Sequence, residues 1–393
     1  MILFFLMISA SLAGCVGSDA DADADGVMND VDLCPLTPTG EGVDTDGCSP
    51  TQLDDDADGV MNDVDLCPLT PTGEGVDADG CHGGRVVTWG GFGHTQGIDN
   101  SSVSSGVIQI FTTSSAFAAL KSDGSVVTWG EGVYGGNSSI VYLDGNSSSV
   151  SSDLSSDVTH IFSNHGAFAA LKSDGSVVTW GSHWMGGDSN NVSSDLSSDV
   201  TQVFSNDYAF AALKSDGSVV TWGEGVYGGN SSAVSSDLSS NVTHIFSFPT
   251  GSAFAALKSD GSVVTWGYST SGGDSSSVSS DLSSGVTHIF SCSSAFAALK
   301  SDGSVVTWGH SDYGGDSSSV SSELSSGVVE VFTTRGAEVF SNGASFAALK
   351  SDGSVITWGH SDYGSDSSSV SSDLSSDVTQ IFSTTSAFAA IIE

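Results

Sequence analysis

The chain has 393 residues, of which 8 are Lys or Arg and 47 are Asp or Glu, and its formal net charge is −39. That balance excludes a nucleic-acid binder, because neutralising a phosphate backbone needs a basic face; it fits an exported protein in a medium where salt or calcium screens the carboxylates. Phe, Val, Ile, Leu and Trp are frequent and regularly spaced, so the Ser- and Asp-rich composition does not leave the whole chain disordered.

Residues 1–15 read MILFFLMISASLAGC, a short apolar run ending in small residues, with no Lys or Arg before Cys15. The run is too short to span a bilayer and is expected to be an export signal. Leu12-Ala13-Gly14-Cys15 resembles the lipobox of exported lipoproteins, which implies a lipidated Cys15 as the mature N-terminus and the only membrane attachment. A simple cleaved signal with a chance cysteine is the alternative.

Residues 23–48 and 56–81 are near-identical copies, differing only at Thr45 and Ala78. In the first copy Asp21, Asp23 and Asp25 alternate before Gly26, and Asn29 and Asp32 follow; the second places Asp54, Asp56, Asp58, Asn62 and Asp65 in the same pattern. Calcium takes six to eight hard oxygens, and a chain wrapping one ion supplies them from alternate positions. Asp44 with Asp46, and Asp77 with Asp79, are expected to complete neighbouring sites. An EF-hand is excluded, because its twelfth-position Glu and flanking helices are missing. The pattern DxDxDGxxNxxDxCP resembles the thrombospondin type-3 repeat over residues 19–81, which implies a calcium-wrapped, irregular stalk with these residues as ligands. A solvated acidic spacer is the alternative.

Four cysteines of the stalk, in an exported segment, favour disulfides. Cys34–Cys48 and Cys67–Cys81 would each close a 15-residue loop, worth about 3 kcal/mol in the chain-entropy estimate. Pairing between the copies stays open. Cys292 stands alone and is expected to be a small buried residue beside Phe290.

From residue 84 one motif recurs. Six copies read AFAALKSDGSVVTWG or nearly so, and their tryptophans, with Trp89, fall at 89, 129, 180, 222, 266, 308 and 358. Runs such as Val158–Phe162, Ala167–Lys172 and Ser176–Trp180 are rich in β-branched residues and are bounded by Gly, Ser and Asp, which predicts antiparallel strands and not helices. A spacing of 40–51 residues suits one propeller blade per repeat. The seventh copy is split: GRVVTWG stands at 84–90 and SAFAAIIE ends the chain. The expected fold is therefore all-β: a seven-bladed β-propeller over residues 84–393, closed by pairing of its N- and C-terminal segments. Tracts such as SSSVSSDLSS, with an apolar residue every three or four positions, are expected to supply an outer strand and loops. Phe111, Phe162, Phe204, Phe246, Phe290, Phe332 and Phe382, with the tryptophans, are expected to pack blade on blade. The hairpin AFAALKSDGSVVTWG resembles the regulator-of-chromosome-condensation repeat, which implies a seven-bladed propeller. The exchange-factor function of that family's best-known member does not transfer to an acidic, exported chain that has YGGDSSSV at 313–320 in place of the usual GxLGxG element.

Nothing in the sequence assembles a catalytic set, and the protein is expected not to be an enzyme. His160, His244 and His288 occupy one position in different repeats, and His310-Ser311-Asp312 and His360-Ser361-Asp362 are too close in sequence for a relay. Lys121, Lys172, Lys214, Lys258, Lys300 and Lys350 all lie in KSDG turns and are expected to line one rim, offsetting nearby aspartates. Two repeats depart from the pattern, near Tyr142 and at Thr333–Ser345 with Arg335; these two residues are the candidate ligand contacts. The leading functional expectation is a monomeric, secreted or surface-anchored calcium-binding protein whose propeller binds a surface protein or glycan. A structural matrix component and a propeller-face hydrolase or lyase are the alternatives.

Overall fold

The computed structural model describes residues 84, 86–89, 103, 106–137, 141–142, 147–148, 150–333 and 343–393. Two compact units divide the chain, one of residues 1–86 with 104–107 and the other of residues 87–103 with 108–393. The described strands, Val107 apart, belong to the second.

That unit is all-β and propeller-like. Among the described residues it holds six three-stranded antiparallel sheets, one two-stranded sheet at the C-terminal end, and a short pair, Val141–Tyr142 with Ser147–Ser148. Blade 2 shows the plan: a first strand Val158–Ser163, a middle strand Ala167–Lys172 and a third strand Val177–Gly181. Blades 1 and 3–6 repeat it over residues 107–130, 200–223, 242–267, 286–309 and 328–359. In each the register sets Phe against Trp, as in Phe168↔Trp180 and Phe210↔Trp222.

The turn between the middle and third strands explains the constancy of KSDG. Gly175 lies at φ 78°, in the left-handed region, and its N–H donates to the Lys172 carbonyl. The Asp174 carboxylate accepts from the Ser176 N–H at 2.8 Å; hydrogen bonds from Ser176 hold this carboxyl below its ordinary value.

Burial of the middle strand is complete on both faces apart from its lysine. One face, Ala167, Ala169 and Leu171, packs against Leu196, Val200, Val203, Phe210, Ala212 and Trp222 of the next blade. Small alanines let the sheets approach. The rings that carry the interface are the middle-strand phenylalanines, stacked on their own Trp at 5.1–5.3 Å in all six blades. The first-strand phenylalanines, such as Phe162 and Phe204, are only half-buried at its margin.

Five of the six blade tryptophans also reach back one blade. Trp180, Trp222, Trp266, Trp308 and Trp358 donate their indole N–H, at 3.1 Å, to the carbonyls of Gly135, Gly186, Gly228, Gly272 and Gly314. These glycines sit at φ 94–106° with the next blade's Phe ring against them; a Cβ on Gly186 would lie 2.7 Å from the Phe210 ring.

Two expectations are corrected. First, the SSSVSSDLSS tracts form no outer strand among the described residues. They fold as helical turns, with Leu196 N–H bonded to the Val192 carbonyl and Leu238 N–H to that of Val234. A three-to-four-residue apolar spacing is the period of a helical turn and not of a strand. Leu154, Leu196, Leu238, Leu282 and Leu324 are at most 2 % exposed, and tract-leucine carbonyls cap the third strand, as in Val177 N–H to Leu196. The lysines do offset the turn aspartates: after the hydrogen bonds from the following serines, the charges of Lys172, Lys214, Lys258 and Lys300 help to lower the Asp174, Asp216, Asp260 and Asp302 carboxyls, while the ammonium groups donate to the backbone carbonyls of Asp153, Asp195, Asp237 and Asp281 in those same tracts. Second, the ring is not closed among the described residues. The C-terminal sheet has two strands, Val378–Ser383 and Phe388–Ile392, and among the described residues nothing pairs with the free edge of the second. Trp89, at 86 % exposed, is not packed there.

Candidate functional site: an aromatic rim

The end of each blade opposite the KSDG turns is built from the loop between first and middle strands and from a 3-10 turn after the third strand. One position ties the two together. In blade 3 the Asn206 Oδ1 accepts from Tyr208 N–H and Ala209 N–H, while its Nδ2 donates to the Tyr227 carbonyl at 2.7 Å. Asn164 does the same for Met185 in blade 2. Thr113 Oγ1 donates to the Tyr134 carbonyl, and Cys292 Sγ donates to that of Tyr313 at 3.2 Å. Cys292 is thus buried as expected, with a role the sequence reading missed: its thiol takes the place of the Asn amide. Burial pushes that thiol up to about 12.

These clamps fix Tyr134, Met185, Tyr227 and Tyr313, each the last residue of its 3-10 turn, and that residue is an aromatic in four of six blades: Tyr134, Tyr227, Tyr313 and Tyr363. Ring then meets ring from blade to blade. Tyr134 contacts His165 at 6.4 Å, His165 contacts Tyr208 at 6.4 Å, Tyr208 stacks on Tyr227 at 4.5 Å, and Tyr227 leans on Tyr268 at 5.6 Å. All five side chains keep part of their surface open to solvent. A second run, His310, Tyr313, His360 and Tyr363, continues on blades 5 and 6 at 5.1–6.3 Å.

One carboxylate lies in the first run. Asp207 Oδ1 stands 3.8 Å from His165 Nδ1. Burial raises its carboxyl above the ordinary value, outweighing the pull of His165 and the Tyr208 hydrogen bond. Burial, then the Asp207 charge, raises the Tyr208 phenol in turn.

Beside the rim a 280 Å³ pocket opens between the turns of blades 2 and 3, lined in part by Trp184, His183, Asp188, Asn191 and Glu224. Trp184 is 62 % exposed and meets His183 edge-on at 5.0 Å; His183 Nδ1 lies 3.3 Å from Asp188 Oδ2. An exposed indole with amide and carboxylate groups around it offers one stacking face and several hydrogen-bond partners. The sequence carried a signal for it, since Trp184 is the only one of eight tryptophans outside a TWG motif.

The residues singled out in the sequence are placed as follows. Asp21, Asp23, Asp25, Asn29, Asp32, Asp44, Asp46, Asp54, Asp56, Asp58, Asn62, Asp65, Asp77 and Asp79 lie outside the described residues, as do Cys15, Cys34, Cys48, Cys67, Cys81 and Arg335. Tyr142 falls in the short strand pair, opposite Ser147. His160, His244 and His288 are exposed on separate first strands. Among the described residues no His, Cys, Asp and Glu side chains cluster as a metal site would require.

The thrombospondin type 3 repeat family matches residues 14–41 and 44–73. No curated protein matches the chain. Among solved structures the chain is similar to human WBSCR16, at 17% identity over 64% of this chain and 77% of that one, with a TM-score of 0.36. It is also similar to Prp20p from Saccharomyces cerevisiae, at 15% identity over 66% and 73% with a TM-score of 0.34, and to the ACR4 ectodomain of Arabidopsis thaliana, at 18% over 64% and 83% with a TM-score of 0.32. The propeller-like fold itself rests on the repeated blades.

Proposed function

We propose that this is an exported, surface-anchored protein in which a calcium-wrapped stalk carries a non-enzymatic binding module, and that the module takes glycan through its aromatic rim. The repeat match within residues 14–73 and the alternating carboxylates support calcium in the stalk. The observation that carries the binding assignment is the run of partly open rings from Tyr134 to Tyr268, with Asp207 and the Trp184 pocket beside it. Sugar rings offer an apolar C–H face for stacking and hydroxyls for carboxylate and amide partners. A linear run of stacking faces suits an extended chain better than a single small molecule.

The reading is tested with the chain from residue 16 on a glycan array in calcium-containing buffer, followed by titration of any hit against Trp184→Ala and Tyr208→Ala. Each variant is expected to bind at least about tenfold more weakly, a loss near 1.4 kcal/mol. Equal binding by both variants removes the rim from the proposal. Calorimetry with calcium reports separately on the stalk.

A further inference from the structure

The C-terminal sheet is built like the others but lacks two side chains. In blade 3 the interface cluster contains Trp222 and Val220 from the third strand. The matching cluster around Phe388 has Ala347, Leu349, Val378, Ile381 and Ala390 and neither of those two. In their place is a 370 Å³ groove lined by Val355, Gly364, Leu374, Phe388, Ala390 and Ile392, among others. Gly364 at φ 98° stands at the repeat position of the five indole-accepting glycines, and Phe388 lies against it as Phe210 does against Gly186. No indole reaches its carbonyl among the described residues.

The missing pair of side chains exists elsewhere in the chain, exposed. Residues 86–89 read Val-Val-Thr-Trp, and Val87 and Trp89 are 61 % and 86 % exposed. By repeat position they correspond to Val220 and Trp222. The root of this segment is already placed: Gly84 exchanges backbone hydrogen bonds with Val107 at 2.9 and 3.3 Å, and Val107 N–H to Gly84 matches Val200 N–H to Gly175 in the complete blades.

We propose that the groove receives the 86–89 strand of a second copy, joining molecules head to tail. The blade-to-blade surface is heterologous, so its two halves lie at opposite ends of the run of blades, and such surfaces join copies in series when one molecule does not close on itself. The register follows from the complete blades: Phe388 opposite Trp89, Ala389 opposite Thr88 and Ala390 opposite Val87. Trp89 stacks on Phe388 and donates its indole N–H to Gly364. With −39 on each copy, like-charge repulsion opposes the contact, and association strengthens as salt or calcium screens it.

The test mixes two single variants of the whole chain, Thr88→Cys and Ala389→Cys, under mild oxidation at 0.1 and about 1 M salt. A disulfide joining the two introduced thiols can form in the mixture only between copies. The expected result is a covalent dimer in the mixture, absent from either variant alone, more abundant at high salt, and lost when Trp89→Ala is added to the Thr88→Cys copy. If a chain carrying both substitutions gives the bond within one molecule while the mixture gives none, the groove is filled by the chain's own strand and the proposal is overturned. Absence of the bond in both overturns it as well.

Discussion

Trp222 and Trp89 stand in the same TWG motif and meet opposite ends: one is 4 % exposed and the other 86 %. Their local sequences, SVVTWG and RVVTWG, are nearly the same. The difference is the neighbour. Trp222 has the Phe210 ring in its own blade and the Gly186 carbonyl in the preceding one; Trp89 has neither. Burial in a repeat array is a property of the interface between units and not of the unit, so the ends of the array carry apolar surface that the middle does not.

The largest expected effect sharpens that contrast. Trp222→Ala removes a buried ring, its stacking and its hydrogen bond, and should cost about 3–5 kcal/mol in urea unfolding. Trp89→Ala, in dilute low-salt solution, should change stability by less than about 0.5 kcal/mol. Equal losses would show that Trp89 is packed in the free molecule.

Next in size is the clamp beneath the rim. Asn206→Ala leaves the Tyr208 and Ala209 N–H groups and the Tyr227 carbonyl without their partner, and should cost about 1–3 kcal/mol. It should also weaken glycan binding, because it releases both members of the Tyr208–Tyr227 stack. A stability loss with binding unchanged would separate the clamp from the site.

A smaller effect is read by pH. Burial raises the Asp207 carboxyl above its ordinary 3.8, and the ionised form is the stronger acceptor for sugar hydroxyls, taking them with both oxygens. Binding should therefore fall as pH is lowered through a value higher than that of an ordinary aspartate, with the facing groups His165, Tyr208 and Tyr227 unchanged in sequence. Asp207→Asn should abolish the step. Retention of the step in that variant assigns it to another group.

How much of this was legible in the sequence depends on the distance over which each feature is written. The hairpins were legible because β-branched runs and an Asp-Gly turn lie within fifteen residues. The tract turns escape the sequence reading although their signal is local: Val192 and Leu196 stand four apart, the helical spacing, but the strands on either side point to a fourth strand as the natural continuation. The aromatic rim was not legible, since Tyr134, His165, Tyr208, Tyr227 and Tyr268 come from four blades and only the packing of blades aligns them. Asn164, Asn206, Thr113 and Cys292 share one repeat position, yet what they have in common is a hydrogen bond to a carbonyl 21 residues on, which no residue type announces.

The smallest effect tests that equivalence at Cys292. Its thiol is pushed from 9.0 to about 12 by burial, so the folded state favours the neutral form. Below pH 9 the group is neutral in both states and its contribution is fully present; between 9 and about 12 the unfolded chain ionises first, and the contribution is lost as pH rises. Serine in its place would donate to the Tyr313 carbonyl as Thr113 does to that of Tyr134, at 3.0 Å. Cys292→Ser should thus alter stability at pH 7 by less than about 1 kcal/mol, and should remove this alkaline loss, seen as a flatter fall in stability from about pH 9 to 11 than in the parent chain. A thiol-reactive probe at about pH 8 should leave native Cys292 unlabelled, since a buried, protonated sulfur is neither nucleophilic nor reachable. Labelling at the rate of an exposed thiol would mean that the loop carrying Cys292 opens, and that the Tyr313 end of the rim is not held as the Tyr227 end is.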